Sequence, residues 1–236
     1  MPSHTSFPGE EVVATEPVVV LFDVDETLVS TGGSGTRSWG AAFQKLYGLS
    51  ADIGEYSSPG QTDPQIALST FRGVLGRDPD PSELSKIYAQ YLLHLSDDIW
   101  TSETYRVLPG AEQTLAQLQE ASVMLGLVSG ALEGAARTKL MPANLNRFFA
   151  FGAYGSDSPD RGELTRYAID KATRLHVQLT PAQVSVVGDT PLDIDAAKSA
   201  GAVSIGVASG NYSTTELLAA GAIHVLGSLE EPFPGL

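Results

Sequence analysis

The chain contains no cysteine. That removes disulfide frameworks, zinc–thiolate sites and cysteine nucleophiles together. Positive charge is scarce: 14 Lys and Arg stand against 28 Asp and Glu, for a formal net charge of −14. Nucleic-acid binding asks for a basic patch, and binding to an anionic membrane asks for surface cations, so the expected partners include neither nucleic acid nor membrane. No apolar run approaches the ~20 residues of a membrane span. Residues 1–16 carry Pro, Ser, Thr and Glu and lack the apolar stretch of a signal peptide. They are expected to form a flexible tail, and the protein to be cytoplasmic. The four histidines, His4, His94, His176 and His224, are scattered and suggest neither a metal site nor a triad.

What is present is enough apolar sequence for a substantial core. Of 236 residues, 42% are hydrophobic, which suits one large domain or a domain carrying an insertion. The most informative stretch is Asp23-Val24-Asp25-Glu26-Thr27-Leu28. It directly follows Val18-Val19-Val20-Leu21-Phe22, a run that reads as a buried parallel strand. In extended chain, residues two apart point to one face, so Asp23 and Asp25 become neighbours. Carboxylates that close repel unless a cation or a shared proton relieves them. The carboxyl end of a strand is also where open α/β sheets bind ligands.

A second copy of the signal occurs downstream. Val184-Ser185-Val186-Val187 runs into Gly188-Asp189-Thr190-Pro191-Leu192-Asp193. Thr190 suits a helix N-cap and Pro191 the first helical position. Asp189 and Asp193, four apart, then share a side at the helix start. Two strand ends with a pair of acids each would make one oxygen-rich pocket, and Mg²⁺ is the usual hard cation beside phosphate.

Asp-x-Asp-x-Thr followed by Gly-Asp-x-x-x-Asp resembles the haloacid dehalogenase (HAD) superfamily, most of whose members are Mg²⁺-dependent phosphohydrolases. The intermediate motifs follow in order. Residues 123–130, ending in Ser129-Gly130, look like the second motif; Asp160-Arg161-Gly162-Glu163-Leu164 looks like the third. Glu26 stands where many relatives carry Gly. The overall layout most resembles phosphoglycolate-phosphatase-like members.

Apolar runs alternate with helix-period segments, which argues for an α/β fold with a doubly wound, Rossmann-like parallel sheet. Core strands are expected at 18–22, 123–128, 149–154, 184–187 and 203–207, with an edge strand near 223–226. Helices are expected at 111–120, 132–140, 161–175, 192–200 and 214–220. The first of these places Ala111, Leu115 and Leu118 on one face. Between the first strand and Ala111 lie about eighty residues without strand character, too many for an ordinary loop. Residues 36–47 and 64–75 read as helices, and Leu84, Ile87, Tyr88, Tyr91, Leu92, Leu95 and Ile99 follow a helical spacing. This resembles the helical cap that many HAD phosphatases insert after the first strand. The expected organisation is a core at 17–31 and 107–236 with a cap at 32–106.

The resemblance implies a chemistry. Asp23 would be the nucleophile that forms an aspartyl-phosphate, splitting one hard displacement into two easier steps. Asp25 would protonate the leaving oxygen and then activate water. The Mg²⁺ ligands would be Asp23, the Asp25 carbonyl and Asp189, with Asp193 acting through water or as an orienting carboxylate. Ser129 and the Gly130 amide would hold phosphoryl oxygens at a helix start. Arg161 would be the cation on the phosphate, with Lys171 on the same predicted helix as its competitor. Thr27 would order the loop after the nucleophile.

Several residues carry two readings. Thr62 suits a helix N-cap with Asp63 in the first turn, while Gln61 and Thr62 equally suit substrate contact from the cap. Arg37 and Arg72 read as surface arginines or as anion contacts. Trp39 and Trp100 read as cap packing. Lys45 and Lys86 lie in the cap without a context that demands a Schiff base.

The expected function is a Mg²⁺-dependent phosphatase for a small phosphorylated metabolite, as monomer or homodimer. The alternatives are a phosphosugar mutase of the β-phosphoglucomutase type and a non-catalytic phosphate-ligand binding protein on the same scaffold.

Overall fold

The computed structural model describes residues 18–175 and 179–236. The expected tail at 1–16, and His4 and His176, lie outside the described residues.

Six strands form one parallel sheet: β1 (Val19–Phe22), β4 (Met124–Ser129), β5 (Phe151–Tyr154), β6 (Val184–Gly188), β7 (Val203–Val207) and β8 (His224–Leu226). Their order across the sheet is β5-β4-β1-β6-β7-β8. From β1 the chain steps outward one way to β4 and β5, then returns to β6 and steps outward the other way. The order therefore reverses between β1 and β6, the crevice where doubly wound sheets bind ligands.

Alternate residues of β1 face opposite layers. Val20 and Phe22 pack with Ala111, Leu115 and Leu118 of α4 (Ala111–Glu120) and Ala135, Ala136 and Leu140 of α5 (Glu133–Leu140). Val19 and Leu21 pack with Leu164, Ala168 and Ala172 of α6 (Arg161–Leu175) and Ala197 of α7 (Pro191–Ser199). Both faces are covered, which is why the strands read as continuous apolar runs rather than alternating ones. The last helix, α8 (Thr214–Ala219), packs on β7 and β8.

The long segment after β1 leaves and re-enters through a short antiparallel ribbon, β2 (Val29–Ser30) paired with β3 (Arg106–Val107). The sequence reading missed this ribbon, because two residues per strand carry no period to detect. Between its strands lie α1 (Ser34–Tyr47), α2 (Asp63–Leu75) and α3 (Pro81–Thr101). Their ends are chemically marked: Thr62 with Gln65 and Asp80 with Glu83 form capping boxes, and Gly76 closes α2 in the left-handed region. Trp39 of α1 stacks on Tyr91 of α3, with ring centroids 4.3 Å apart. Phe43 meets Phe71 of α2 edge-on. Trp39 is buried packing as expected; Trp100 is not, since it is 59% exposed at the end of α3. Its place in the sequence falls off the face that Ile87, Tyr91, Leu95 and Ile99 bury. Among the described residues, no helix is long and apolar enough to cross a membrane.

Candidate active site

The crevice between β1 and β6 is where the acidic residues gather. The Asp23 amide donates to the Val187 carbonyl at 2.9 Å, carrying the β1–β6 pairing one step past the strand. That fixes Asp23 beside the end of β6. Asp189 follows β6 directly, and Asp193 sits in the first turn of α7. Asp23, Asp189 and Asp193 are all buried, and each offers a carboxylate oxygen within 4.8 Å of the others.

Such crowding has an electrostatic cost. Burial, then the neighbouring carboxylates, push Asp189 up to about 9. Burial pushes Asp23 up to about 7, against the pull of the Arg161 guanidinium and with a further push from Asp193 and Asp25. A buried set of oxygen donors that resist sharing negative charge fits a hard divalent cation. Asp23 and Asp189 have the free lone pairs for it. Asp193 is more committed: it accepts from the Thr190 amide at 3.1 Å, from the Thr190 hydroxyl at 2.6 Å, and from Arg161. The Thr190–Asp193 capping box that starts α7 therefore also sets this carboxylate.

Arg161, the first residue of α6, points into the same crevice. Its guanidinium is 3.3 Å from Asp23 Oδ1, pairs with Asp193, and donates to the Gly60 carbonyl at 3.1 Å. Lys171, its competitor, lies elsewhere and donates to the Gly152 carbonyl at 2.7 Å. Ser129 ends β4 next to β1, buried, and accepts from the Ala131 amide at 3.3 Å. Gly130 follows in the loop, three residues ahead of α5 rather than at its start. A side chain there would collide with the insertion, since a Cβ would sit 2.8 Å from the Gln61 carbonyl and 3.1 Å from the Thr62 Cα.

A cavity of about 500 Å³ opens over these groups. Asp23, Ser129, Arg161 and Asp189 form its floor; Trp39, Ile53, Ile66 and Tyr91 from the insertion form apolar walls. Gln61 lines it, with its amide oxygen turned to accept from the Ser58 amide at 2.8 Å. Thr62 does not line it. Its hydroxyl caps α2, accepting from the Gln65 amide, and donates to the Pro159 carbonyl at 3.1 Å. Arg37 and Arg72 are also away from the cavity, paired with Asp98 at 2.6 Å and Asp78 at 2.5 Å.

Two features escaped the sequence reading. Lys139 of α5 is buried and lies 2.6 Å from Asp25 Oδ2. A lysine in the last turn of a helix reads as a partner for the helix dipole, so nothing local marks it. Gly210, after β7, lies so close to Asp189 that a Cβ would reach 1.9 Å from its carboxylate. One expectation needs correcting. The Thr27 hydroxyl is buried without a hydrogen-bond partner among the described residues. The loop after Asp23 is ordered instead by backbone bonds, with the Leu28 and Val29 amides both donating to the Val24 carbonyl.

Fold and site together define an α/β enzyme with a buried carboxylate centre at its topological switch point, beneath a helical insertion. The chain belongs to the haloacid dehalogenase-like hydrolases, whose family model matches residues 18–201. It is 28% identical over 210 residues to the protein named "Probable phosphatase IndB" of Dickeya dadantii (strain 3937), covering 86% of each chain. It is 28% identical over 160 residues to the phosphoglycolate phosphatase of Salmonella typhi, covering 64% of this chain and 60% of that one. The crystal structure of CbbY from Rhodobacter sphaeroides in complex with phosphate superposes with a TM-score of 0.73 at 20% identity, over 91% of this chain and 96% of that one.

Proposed function

We propose that this hydrolase is a Mg²⁺-dependent phosphatase of a small phosphorylated metabolite, working in the cytoplasm through an aspartyl-phosphate. The observation that carries the reading is the buried Asp23–Asp189–Asp193 cluster, with Arg161 against two of its members, and with Asp23, Asp189 and Arg161 lining a cavity roofed by the insertion.

Asp23 attacks phosphorus as the ester bond breaks. Asp25 gives its proton to the departing oxygen and later takes one from the attacking water. Arg161, Ser129 and the Gly130 amide hold the phosphoryl oxygens. Asp23, Asp189 and the Asp25 carbonyl would hold Mg²⁺, which neutralises phosphate charge when bound; Asp193 orients Arg161 and the start of α7. The core is taken as 17–31 and 107–236, and the insertion at 32–106 as a cap that excludes water, with Gln61 facing substrate and Thr62 setting the helix beside it.

The test is phosphate release from a metabolite panel and an aryl phosphate, with and without Mg²⁺. Wild type is expected to hydrolyse only with the metal, and Asp23→Asn to lose at least ~10³-fold. Substrates with an uncharged leaving group are expected to lead. The cations lining the cavity, Arg161 and Lys139, are already paired with carboxylates. Equal rates for wild type and Asp23→Asn would sink the reading and make phosphosugar isomerisation the next assay.

A further inference from the structure

Besides Arg161, Lys139 is the other buried cation that lines the cavity. It belongs to α5 of the core, yet its ammonium leaves the helix toward the cavity and meets Asp25 at 2.6 Å. The pairing is lopsided: the Lys139 side chain is 7% exposed and that of Asp25 is 43% exposed. The lysine is fixed in the protein, and the carboxylate reaches it from the cavity.

Two groups of the insertion line the same cavity as that ammonium. Asp63, the first residue of α2, and the Tyr91 hydroxyl of α3 both act on Lys139 electrostatically. Asp63 is buried beside the Trp39 indole and, with Thr62, docks the start of α2 on the core. Its amide donates to the Gly130 carbonyl at 2.8 Å, and its carboxylate accepts from the Leu132 amide at 2.8 Å. Behind Lys139, the Tyr105 hydroxyl donates to its carbonyl at 2.9 Å and holds the end of α5. A buried ammonium needs a partner to offset lost hydration, and here the Asp25 carboxylate supplies it.

We propose that Lys139 is a positioning residue: it holds the Asp25 carboxylate at the cavity that Asp63 and Tyr91 of the insertion also line. Lys139 transfers no proton; the proton on the leaving oxygen still comes from Asp25. The inference rests on the phosphatase reading above.

The test separates proton-dependent from proton-independent chemistry. Lys139→Met keeps length and loses charge. An alkyl phosphate needs its leaving oxygen protonated, whereas a dinitrophenyl phosphate does not. With the alkyl ester, Lys139→Met is expected to lose ~10²-fold or more in kcat with a smaller change in KM. With the dinitrophenyl ester, its single-turnover release of phenolate is expected to stay within about three-fold of wild type, followed by slow turnover, because only hydrolysis of the aspartyl-phosphate needs Asp25 as base. Lys139→Arg is expected to restore part of the alkyl-ester rate. If Lys139→Met fails to fold, as judged by its melting curve, Asp63→Asn and Tyr91→Phe take its place and are expected to show the same split at smaller size. Equal losses for both esters, or no loss for either, would overturn the proposal while leaving the phosphatase reading intact. A wild type inactive on every ester would remove both.

Discussion

Glu26 adopts φ 54°, the left-handed region that costs a side chain with a Cβ. Glycine would take this conformation without that steric cost. The turn is held from outside: the Ser209 hydroxyl donates to the Glu26 carbonyl at 2.6 Å, and the Glu26 amide to the Val29 carbonyl at 2.9 Å. Glu26→Val is expected to destabilise the protein by about 1–2 kcal/mol, because a β-branched residue suits this region least. Glu26→Gly should stay within about 1 kcal/mol of wild type, relief of strain being offset by the freer unfolded chain. Urea denaturation of both variants checks this, and equal losses would refute the strain argument.

Among the elements, α2 shows how a local signal acquires a tertiary role. Thr62 caps the helix as its sequence suggests, but the same hydroxyl reaches the Pro159 carbonyl of the core. Thr62→Ala is expected to cost about 1 kcal/mol of stability by denaturant titration, from the lost cap. A Thr62→Ser variant keeps the oxygen and should recover most of it. If Ser and Ala variants are equally weakened, the cap is not what matters. Elements with a full turn of period or a complete apolar run were legible in the sequence: α4, α6 and β7 begin and end where the pattern does. The β2–β3 ribbon was not, because pairing between residues almost eighty positions apart leaves no local trace.

At the scale of the whole molecule, the fold forces carboxylates from β1, β6 and α7 into one buried place. In the metal-free protein the raised values of Asp23, about 7, and Asp189, about 9, mean that the folded state binds protons more tightly than the unfolded chain. The stability they contribute is fully present below the ordinary carboxylate pKa. It is lost as pH rises through the folded values. Tm in chelator is therefore expected to fall between about pH 5 and about pH 9. Added Mg²⁺ is expected to raise Tm by an increment that grows across the same window, since the ligands must be deprotonated. Thermal melts at several pH values, with and without the metal, check the sign. An increment that is flat or shrinks with pH would contradict it.

The sequence by itself determined the succession of the six sheet strands and their helices along the chain and the positions of Asp23, Asp25, Asp189 and Asp193 at strand and helix ends. Those follow from short-range rules of apolar runs, capping residues and spacing. Only the tertiary structure decided which of them meet. Arg161 rather than Lys171 faces Asp23, because α6 starts at the crevice and Lys171 lies further along, against β5. Lys139 joins Asp25, and Gly210 makes room for Asp189, because segments more than a hundred and more than twenty residues away in the chain fold onto those acids. Such meetings are set by the crossing of layers, and no residue's neighbours in sequence report them.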